Sequence, residues 1–512
     1  MKKQLLFIIV FLFSGIIFSQ IPTIQWKKTV GGTGNDFTRN IIQTADGGYI
    51  TAGNTLSTDG DVTGAHGSFD FWIVKMDVTG AIEWQKALGG TGYDFAYSIQ
   101  QTLDSGFIVV GWADSNNGDV TGNHGDTDFW IVKLNAIGTV EWQKSVGGTA
   151  SDFAYAVHQN SDSTYVLVGK AYSNDGDVTG NHGMHDFWLV KLNATGNIIW
   201  QKTYGGSLND FAYVVKPTID KGYILVGNTN STDGDVVGNH GIDDCWVVKL
   251  DSLGTIQWTK TIGGTGNDYG REVQQTTDQG YIIVGETASN DGDVSGNHGQ
   301  TDCWILKLDT AGVIQWQKTL GGTGVDIGNS IQQTTDNGFI VAGWSDSNSG
   351  DLTSNHGASD YWLIKLDAQG NIFWQQSYGG TASDFAYSIK TTSDGGLIVA
   401  GNSSSNDIDV SGNHSTSHDF WIIKFNDLAL SIPVNFANPS ITVYPNPSSG
   451  QFNFSNLQPN SKIEIYDVTG RIVINTTSKN SNYSAELTEQ SKGVYFYRIA
   501  GANFLSGKLI KY

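Results

Sequence analysis

The sequence lacks sustained helical periodicity, is poor in proline and has few basic residues. After the N-terminus no long stretch repeats apolar residues at helical spacing, which argues against a helical fold. There are 7 Pro and 65 Gly, and 12% of residues are aromatic, a mix typical of short strands joined by tight turns. Lys and Arg number 29 against 50 Asp and Glu. The net charge of −21 disfavours nucleic-acid or anionic-membrane partners and is compatible with divalent cations.

Cysteine is almost absent. The chain has only Cys245 and Cys303, and each stands at a position that is aromatic in the equivalent segments of the chain. Equivalent sites in neighbouring repeats usually lie too far apart for a disulfide, whose Cα atoms must approach within about 7 Å. We therefore expect two buried free thiols without a metal-binding or catalytic role.

A segment that reads DGDVTGNHGMHDFW at 175–188 recurs along most of the chain. Each copy is a Gly/Asp/Asn loop that passes a histidine and ends in an apolar strand beginning Asp-aromatic-Trp or Asp-Cys-Trp. The histidines recur at a constant interval, at His66, His124, His182, His240, His298, His356 and His414. This period of about 58 residues, held seven times, predicts one large repeat domain.

One repeat can be divided into four strands. The predicted strands of one unit are Thr139–Val146, Phe153–Gln159, Tyr165–Lys170 and Phe187–Leu192. Four short strands in a repeat of this length match one blade of a β-propeller. The fourth strand is apolar at nearly every position, as expected of a strand buried on both faces.

The two ends of the repeat region indicate a closed ring. The strand that contains Trp26 comes before the first complete unit, whereas the last unit ends at Phe425 without a strand of that type. Pairing Ile24–Val30 with the last unit would close the ring, whereas a linear solenoid would have to cap its open ends. The prediction is an all-β chain with a seven-bladed β-propeller of four-stranded repeats over residues 20–426.

The N-terminus predicts export. Residues 1–19 carry Lys2 and Lys3 and then an apolar run, the pattern of a secretory signal peptide. The run is too short for a transmembrane anchor, which needs about 20 apolar residues. We expect a mature protein without a membrane span, and a linker at residues 427–440 where the composition changes.

Residues 441–512 form a different module, predicted as a small Ig-like β-sandwich. This segment opens with YPNPSSG (444–450), continues with YDVTGR (466–471) and GVYFYR (493–498), and ends in a basic strand. In this order it resembles the C-terminal sorting domain of the type IX secretion system of Bacteroidota. The alternative is an ordinary Ig-like accessory module.

The resemblance implies a route and a partner. It implies periplasmic passage, transport across the outer membrane by the type IX machinery through contacts of residues 441–512, and then release or attachment at the outer cell surface. The resemblance is confined to this C-terminal segment and says nothing direct about the repeats.

The elaborate loops of the repeats are candidates for calcium binding. In a propeller these Asp/His loops share one face with the Gly-Gly turns that join the units, so function is expected on that face. Carboxylate oxygens suit calcium, although the spacing does not match an EF-hand, and a tight Asx-turn is the alternative. The candidate ligands are Asp59, Asp61, Asp175, Asp177, Asp233, Asp235, Asp291, Asp293, Asp407 and Asp409.

The histidines are predicted to be structural. Each loop has one histidine, and equivalent histidines on neighbouring blades are too far apart to share a zinc ion. A network of the histidine, the Asp that follows four or five residues later and the adjacent Trp resembles the one in WD-repeat propellers. These aspartates are Asp70, Asp128, Asp186, Asp244, Asp302, Asp360 and Asp419.

A ring of side chains is expected around the central channel. In each unit it lies three residues after the Asp that closes the Gly-rich turn. Aromatic and guanidinium groups there could stack on sugars or pair with an anionic ligand, and channel packing is the alternative. The ring residues are Arg39, Tyr97, Tyr155, Tyr213, Arg271, Asn329 and Tyr387.

The sequence as a whole favours a secreted or cell-surface binding or adhesion module, expected to be a monomer. A glycan or another surface polymer is the expected partner, bound at several weak equivalent sites that together give avidity. Two alternatives stay open. One is an enzyme acting on polysaccharide or glycoprotein, for which Glu272, an acidic residue that departs from the repeat, is the first candidate. The other is a structural surface protein without a small ligand.

Overall fold

The computed structural model describes residues 21–352, 354–426, 442–455, 457, 461–468, 470–500 and 504–512. The predicted signal peptide (1–19) and linker (427–440) lie outside these residues. The chain divides into two compact units, one spanning Ile21–Leu428 and one that includes the strands after residue 441. Every regular element in the described residues is a β-strand, which confirms the all-β prediction.

The first unit consists of seven four-stranded antiparallel sheets, each of which is one blade. The inner strands are β2 (Asp36–Gln43), β6 (Asp94–Gln101), β10 (Asp152–Gln159), β14 (Asp210–Pro217), β18 (Asp268–Gln275), β22 (Asp326–Gln333) and β26 (Asp384–Thr391). The second strands are β3 (Tyr49–Thr55), β7 (Phe107–Ala113), β11 (Tyr165–Ala171), β15 (Tyr223–Thr229), β19 (Tyr281–Thr287), β23 (Phe339–Ser345) and β27 (Leu397–Ser403). The third strands are β4 (Asp70–Met76), β8 (Asp128–Leu134), β12 (Asp186–Leu192), β16 (Asp244–Leu250), β20 (Asp302–Leu308), β24 (Asp360–Leu366) and β28 (Asp419–Phe425). The outer strands are β5 (Ile82–Leu88), β9 (Val140–Val146), β13 (Ile198–Tyr204), β17 (Ile256–Ile262), β21 (Ile314–Leu320), β25 (Ile372–Tyr378) and β1 (Ile24–Val30).

The N-terminal strand closes the ring as predicted. β1 pairs antiparallel with β28 and supplies the outer strand of the seventh blade, with Lys27 opposite Ile423. The inner strand of that blade, β26, packs against β2 of the first blade. The backbone N–H of Thr38 donates to Asn402 Oδ1 at 2.7 Å across the same junction. The fold is therefore a closed seven-bladed β-propeller, whose ring leaves no terminal blade of the kind that a linear solenoid must cap.

The core lies between the blades, because the third strands are almost entirely buried on both faces. The third-strand tryptophans, such as Trp130, are fully buried, and in the five blades where an aromatic side chain precedes the tryptophan, that side chain packs on the tryptophan of the neighbouring blade. Phe71 meets Trp130 with ring centroids 4.4 Å apart. Burial of one such side chain contributes about 3 kcal/mol. Cys245 and Cys303 occupy the same position in their blades and are buried free cysteines.

The second unit is a β-sandwich. Its strands are β29 (Thr442–Tyr444), β30 (Gln451–Ser455), β31 (Lys462–Asp467), β32 (Ile472–Thr477), β33 (Tyr483–Glu486), β34 (Gly493–Ala500) and β35 (Phe504–Lys511). They form a three-stranded sheet of β29, β30 and β33 and a four-stranded sheet of β32, β31, β34 and β35. Phe452 and Phe454 of the smaller sheet pack with Ile463, Ile465 and Leu509 of the larger one. The two sheets thus share one core, as in the predicted Ig-like sandwich.

Candidate central-channel site

A β-bulge on every inner strand places one side chain on the wall of the central channel. In the first blade the pairing of β2 with β3 shifts between Thr38 and Asn40, and the residue between them is left without a cross-strand partner. A bulge of this kind re-aims the side chain of the extra residue. The same shift occurs in all seven blades. The seven bulge residues are the predicted ring, Arg39, Tyr97, Tyr155, Tyr213, Arg271, Asn329 and Tyr387, and all of them line one cavity of about 150 Å³.

Three of the four tyrosines of the ring touch one another around the channel. Tyr97 and Tyr155 meet edge to face with centroids 4.9 Å apart, and Tyr155 and Tyr213 are 5.6 Å apart. Burial raises the pKa of both Tyr155 and Tyr213, so their phenols stay neutral. The guanidinium of Arg271 lies 5.2 Å from the ring centre of Tyr213, and Asn329 Nδ2 donates to the Ala386 carbonyl at 2.8 Å. The wall is therefore a connected set of contacts with half-buried aromatic surface.

The two arginines of the ring are held differently. Arg271 forms an ion pair with Glu286, with Nη2 2.6 Å from Oε1. Arg39 lies over Tyr387, 4.5 Å from the ring centre, and 5.6 Å from that of Tyr97. Within the described residues Arg39 has no carboxylate within 4 Å, whereas Arg271 has Glu286; the Nε of both arginines is buried without a hydrogen-bond partner. One guanidinium of the wall is thus neutralised and the other is not.

Glu272 belongs to an ion triplet on the same wall. Its Oε1 lies 3.2 Å from Lys216 Nζ and 3.5 Å from Lys390 Nζ. Its Oε2 accepts from the hydroxyl of Ser330 at 2.5 Å and from the backbone N–H of Ile331 at 3.0 Å. Burial alone would raise the pKa of Glu272, but the two lysines and these donors lower it to about 2. Glu272 is therefore a carboxylate at neutral pH and has no proton to give as a general acid.

Each predicted His–Asp pair is brought together at the blade edge. The backbone N–H of the histidine donates to the Asp Oδ2 in all seven units, at 2.5–3.0 Å. In five units the histidine Nδ1 is also 2.6–2.9 Å from that oxygen. The tryptophan expected to complete the network does not take part. Instead Trp72 Nε1 donates to Gln85 on the outer strand at 2.8 Å.

A second ring of aspartates, not identified from the sequence, lies beside the first. Asp94 begins an inner strand, and its Oδ2 accepts from the N–H of Gly90 and the hydroxyl of Ser115, both at 2.8 Å. A Cβ on Gly89 would lie 2.3 Å from Asp70 Oδ1 and 2.6 Å from Asp94 Oδ2, so the two carboxylates flank this glycine. Burial is the main cause that raises the pKa of Asp94 to about 6. We call each such pair with its glycine a seam.

The seams recur between all neighbouring blades. Their inner-strand aspartates are Asp36, Asp94, Asp152, Asp210, Asp268, Asp326 and Asp384, and all are fully buried. They recur once in every repeat, at the end of the Gly-rich turn. This spacing could have identified the inner-strand aspartates from the sequence. It does not show that each of them lies close to an aspartate of the neighbouring blade.

The aspartates proposed as calcium ligands tie two loops together. Asp59 Oδ1 accepts from the backbone N–H of Thr33 at 2.7 Å and its Oδ2 from the Thr33 hydroxyl at 2.8 Å. Asp61 Oδ2 accepts from the Gly31 N–H at 3.2 Å. These hydrogen bonds fix the Asp/His loop to the preceding Gly-rich turn. Within the described residues no group of three or more His, Cys, Asp or Glu side chains could hold a metal ion, and calcium binding stays a prediction.

An aromatic belt lies one step nearer the loops than the ring. The second residue of each inner strand is aromatic in six blades, and its neighbours extend the belt. Phe95 stacks on Trp112 at 4.5 Å, Trp112 meets Phe153 at 5.3 Å, and Phe69 lies 5.0 Å from Phe95. All four side chains are half-buried. The recurring aromatic after the turn Asp was the signal for this belt in the sequence.

A known protein family matches the second unit. Residues 442–512 match the family described as secretion system C-terminal sorting domain. The tail is a type IX secretion sorting domain. Such a domain directs a protein to the cell surface or out of the cell, which confirms the resemblance and the predicted localisation. In the described residues we find no helix with the length and hydropathy of a membrane span.

Two curated proteins are similar to parts of the chain. The regulatory protein FlaEY of Caulobacter vibrioides is 24% identical over 247 residues, 42% of this chain and 25% of that protein. An uncharacterised WD repeat-containing protein, L264 of Acanthamoeba polyphaga mimivirus, is 22% identical over 284 residues, which are 47% of this chain and 20% of that protein. The chain thus spans a quarter or less of the length of these relatives.

Among solved structures the similarity is remote. The extracellular domain of the hybrid two-component system BT4673 from B. thetaiotaomicron is 10% identical with a TM-score of 0.43, covering 96% of this chain and 59% of that one. PorZ, a surface component of the type IX secretion system of Porphyromonas gingivalis, is 9% identical with a TM-score of 0.23, covering 93% and 81%. These scores carry no argument about function, and the fold assignment rests on the sheets described above.

Proposed function

We propose that the exported propeller is a binding module for a glycan or another surface polymer, and that its ligand enters the central channel. The observation that carries the proposal is that all seven bulge residues line one cavity. Four of the seven are tyrosines and two are arginines. Aromatic faces stack on sugar rings, and guanidinium groups donate to hydroxyl and anionic oxygens. The aromatic belt would extend the same surface towards the loops.

The proposal moves the site away from the Asp/His loops. The loop carboxylates already accept hydrogen bonds from the neighbouring turn, as Asp59 does from Thr33. A channel shared by seven blades offers one site per chain instead of several equivalent weak ones. Binding should therefore show a stoichiometry of one, without avidity inside a single molecule.

The test is binding of the full chain to a glycan array, with calcium and again with chelator. We expect binding in both conditions. Tyr97→Ala removes an aromatic side chain of the channel wall, whereas Phe373→Ala removes an exposed one on the outer strand β25. We expect the first variant to lose binding and the second to keep it.

Two outcomes would contradict the proposal. Binding that chelator abolishes and Tyr97→Ala leaves intact would assign the ligand to the Asp/His loops. No binding to any glycan in either condition would leave a structural surface protein without a small ligand.

A further inference from the structure

Within the described residues, Arg39 is a cation on the channel wall without a counter-charge. It lies between Tyr387 and Tyr97, and its Nε is buried without a hydrogen-bond partner, as is that of Arg271. A guanidinium has five N–H donors in a planar fork that matches a carboxylate. A ligand that supplies acceptor oxygens would therefore satisfy Arg39.

The equivalent arginine of another blade shows what is missing. Arg271 occupies the same bulge position and is paired with Glu286 at 2.6 Å. Glu286 is on β19, where the first blade has Asn54. The same ring position is therefore charge-balanced in the fifth blade and unbalanced in the first.

The channel wall as a whole is positively charged in an acidic protein. Arg39, Arg271, Lys216 and Lys390 carry four positive charges, and Glu272 and Glu286 carry two negative charges. The excess of two contrasts with the net charge of −21 for the whole chain. An excess of positive charge in a confined cavity favours an anionic ligand.

The cavity has room for about one sugar ring. Its volume of about 150 Å³ is close to that of a cavity that admits benzene. A single pyranose ring is of this order, whereas several rings of a polymer are not. The aromatic walls then face the ring while Arg39 faces its anionic substituent.

We propose that the channel binds a terminal sugar residue that carries a carboxylate, and that Arg39 pairs with that carboxylate. This inference rests on the proposed function and specifies its ligand as a uronic acid. A sulfated sugar would present a related anion, and the experiment separates the two.

The experiment is a calorimetric titration of the full chain with three probes of equal length. These are an oligogalacturonate, a sulfated oligosaccharide and a neutral malto-oligosaccharide. We expect the galacturonate to bind at least about tenfold more tightly than the neutral probe, because a charge-assisted hydrogen bond contributes about 1.5–3 kcal/mol. We also expect it to bind more tightly than the sulfated probe, because the planar carboxylate matches the planar guanidinium fork. Arg39→Gln should weaken galacturonate binding about 10- to 100-fold and leave the neutral probe unaffected.

The matched control is Lys86→Gln, which removes the same charge from an exposed position on the outer strand β5. It should leave all three affinities unchanged. Arg39→Lys keeps the charge and loses the fork, so it should bind galacturonate with intermediate affinity. If Arg39→Gln does not fold, the inference is tested by the galacturonate affinity of Arg39→Lys and by the salt dependence of binding to the unmodified chain. The affinity of the unmodified chain for galacturonate should fall as salt is raised from about 0.05 to 0.5 M.

The outcomes separate the two levels of the proposal. Equal binding of neutral and acidic probes would overturn the carboxylate inference and leave the glycan proposal standing. Tighter binding of the sulfated probe, or unchanged galacturonate affinity in Arg39→Gln, would also overturn the inference. No binding of any probe, together with an empty glycan array, would overturn both.

Discussion

The seams and the channel wall are built from the same seven repeats, but they differ in how far the repeats agree. Every seam has a glycine between two buried aspartates, as at Gly89 between Asp70 and Asp94. The wall, in contrast, has Tyr at four ring positions, Arg at two and Asn at one. A residue that is the same in all seven blades can stabilise the contacts between blades, but it cannot form a single unique site. The channel wall combines different side chains and can form one, and we therefore assign the binding site to it.

The difference also appears in the way the two regions handle charge. At the seams, burial and the neighbouring carboxylate raise the pKa of these aspartates, although the backbone and hydroxyl donors that they accept lower it in part. On the wall, Glu272 is buried against two lysines and its pKa is lowered. Ionisation of the seam aspartates at neutral pH therefore destabilises the folded state, whereas ionisation of Glu272 stabilises the channel wall.

The largest effect is expected from filling a seam. Gly89→Ala places a methyl group 2.3 Å from Asp70 Oδ1 and should lower the free energy of unfolding by about 3 kcal/mol. Gly122→Ala is the control, because its Cβ meets nothing within 4 Å and only its φ of +83° is unfavourable. We expect about 1 kcal/mol there. Denaturant unfolding measures both, and equal losses would show that the seam is not tightly packed.

The next effect is a gain of stability in mild acid. The pKa of Asp36, Asp94, Asp152, Asp210 and Asp384 is raised from 3.8 to about 6, mainly by burial. Between pH 3.8 and 6 the folded state therefore holds more protons than the unfolded state, and stability falls as pH rises through this window. For a single group such as Asp94, this shift is expected to make the free energy of unfolding about 2 kcal/mol higher at pH 4.5 than at pH 7.

Other groups limit this gain. Burial lowers the pKa of His158 to about 4, so stability from this residue is lost as pH falls from 6.5 towards 4. Asp46 and Asp394 have a lowered pKa of about 2 in the folded state, so the stability that they contribute is lost as pH falls from 3.8 towards 2. Thermal unfolding from pH 3 to 8 should show a maximum between pH 4 and 5. Asp94→Asn, which removes one ionisation, should flatten the curve, and an unchanged curve would contradict the assignment.

On the wall, Glu272→Gln should have a smaller effect. It leaves Lys216 and Lys390 without their shared carboxylate and should cost about 1.5 kcal/mol, less than a fully buried pair because Lys216 is 36% exposed. Glu83→Gln is the control, since Glu83 is half-exposed and its partner Lys75 keeps Asp46 at 3.0 Å. A cost below about 0.5 kcal/mol is expected for the control in urea unfolding. Equal costs would mean that the triplet is screened by water in the channel.

The smallest effect is expected where a wall tyrosine loses only its hydroxyl. Tyr97→Phe keeps the ring contact with Tyr155 and should change stability by less than about 0.5 kcal/mol. Tyr204→Phe, between blades, removes a buried hydroxyl that donates to the Gly254 carbonyl at 2.6 Å and should cost about 1 kcal/mol. Thermal unfolding compares the two, and a larger loss for Tyr97 would show that the wall has a structural role.

Much of the fold could be predicted because the constant repeat period shows where each strand of each blade lies in the sequence. The constant repeat spacing located each strand closely, as for β10, which begins at Asp152 where Phe153 was expected. The position of the Trp26 strand before the first unit was sufficient to predict ring closure. The ring residues were also found by their spacing.

The site details could not be predicted, because they depend on contacts between blades. The bulge that leaves Arg39 without a cross-strand partner leaves no mark in the alternation of β2. The proximity of Asp94 to Asp70 joins residues that belong to different repeat units. The indole of Trp72 was assigned to the wrong partner because Gln85 lies on a strand whose register was unknown. Spacing identifies equivalent positions but not their neighbours.

The most direct test of a single channel site is the number of ligands bound per chain. Calorimetric titration of the full chain with oligogalacturonate, with calcium and with chelator, measures it. The account predicts a stoichiometry of one that is unchanged by chelator. A stoichiometry near seven, or binding that requires calcium, would place the ligand on the repeated loops and contradict the account.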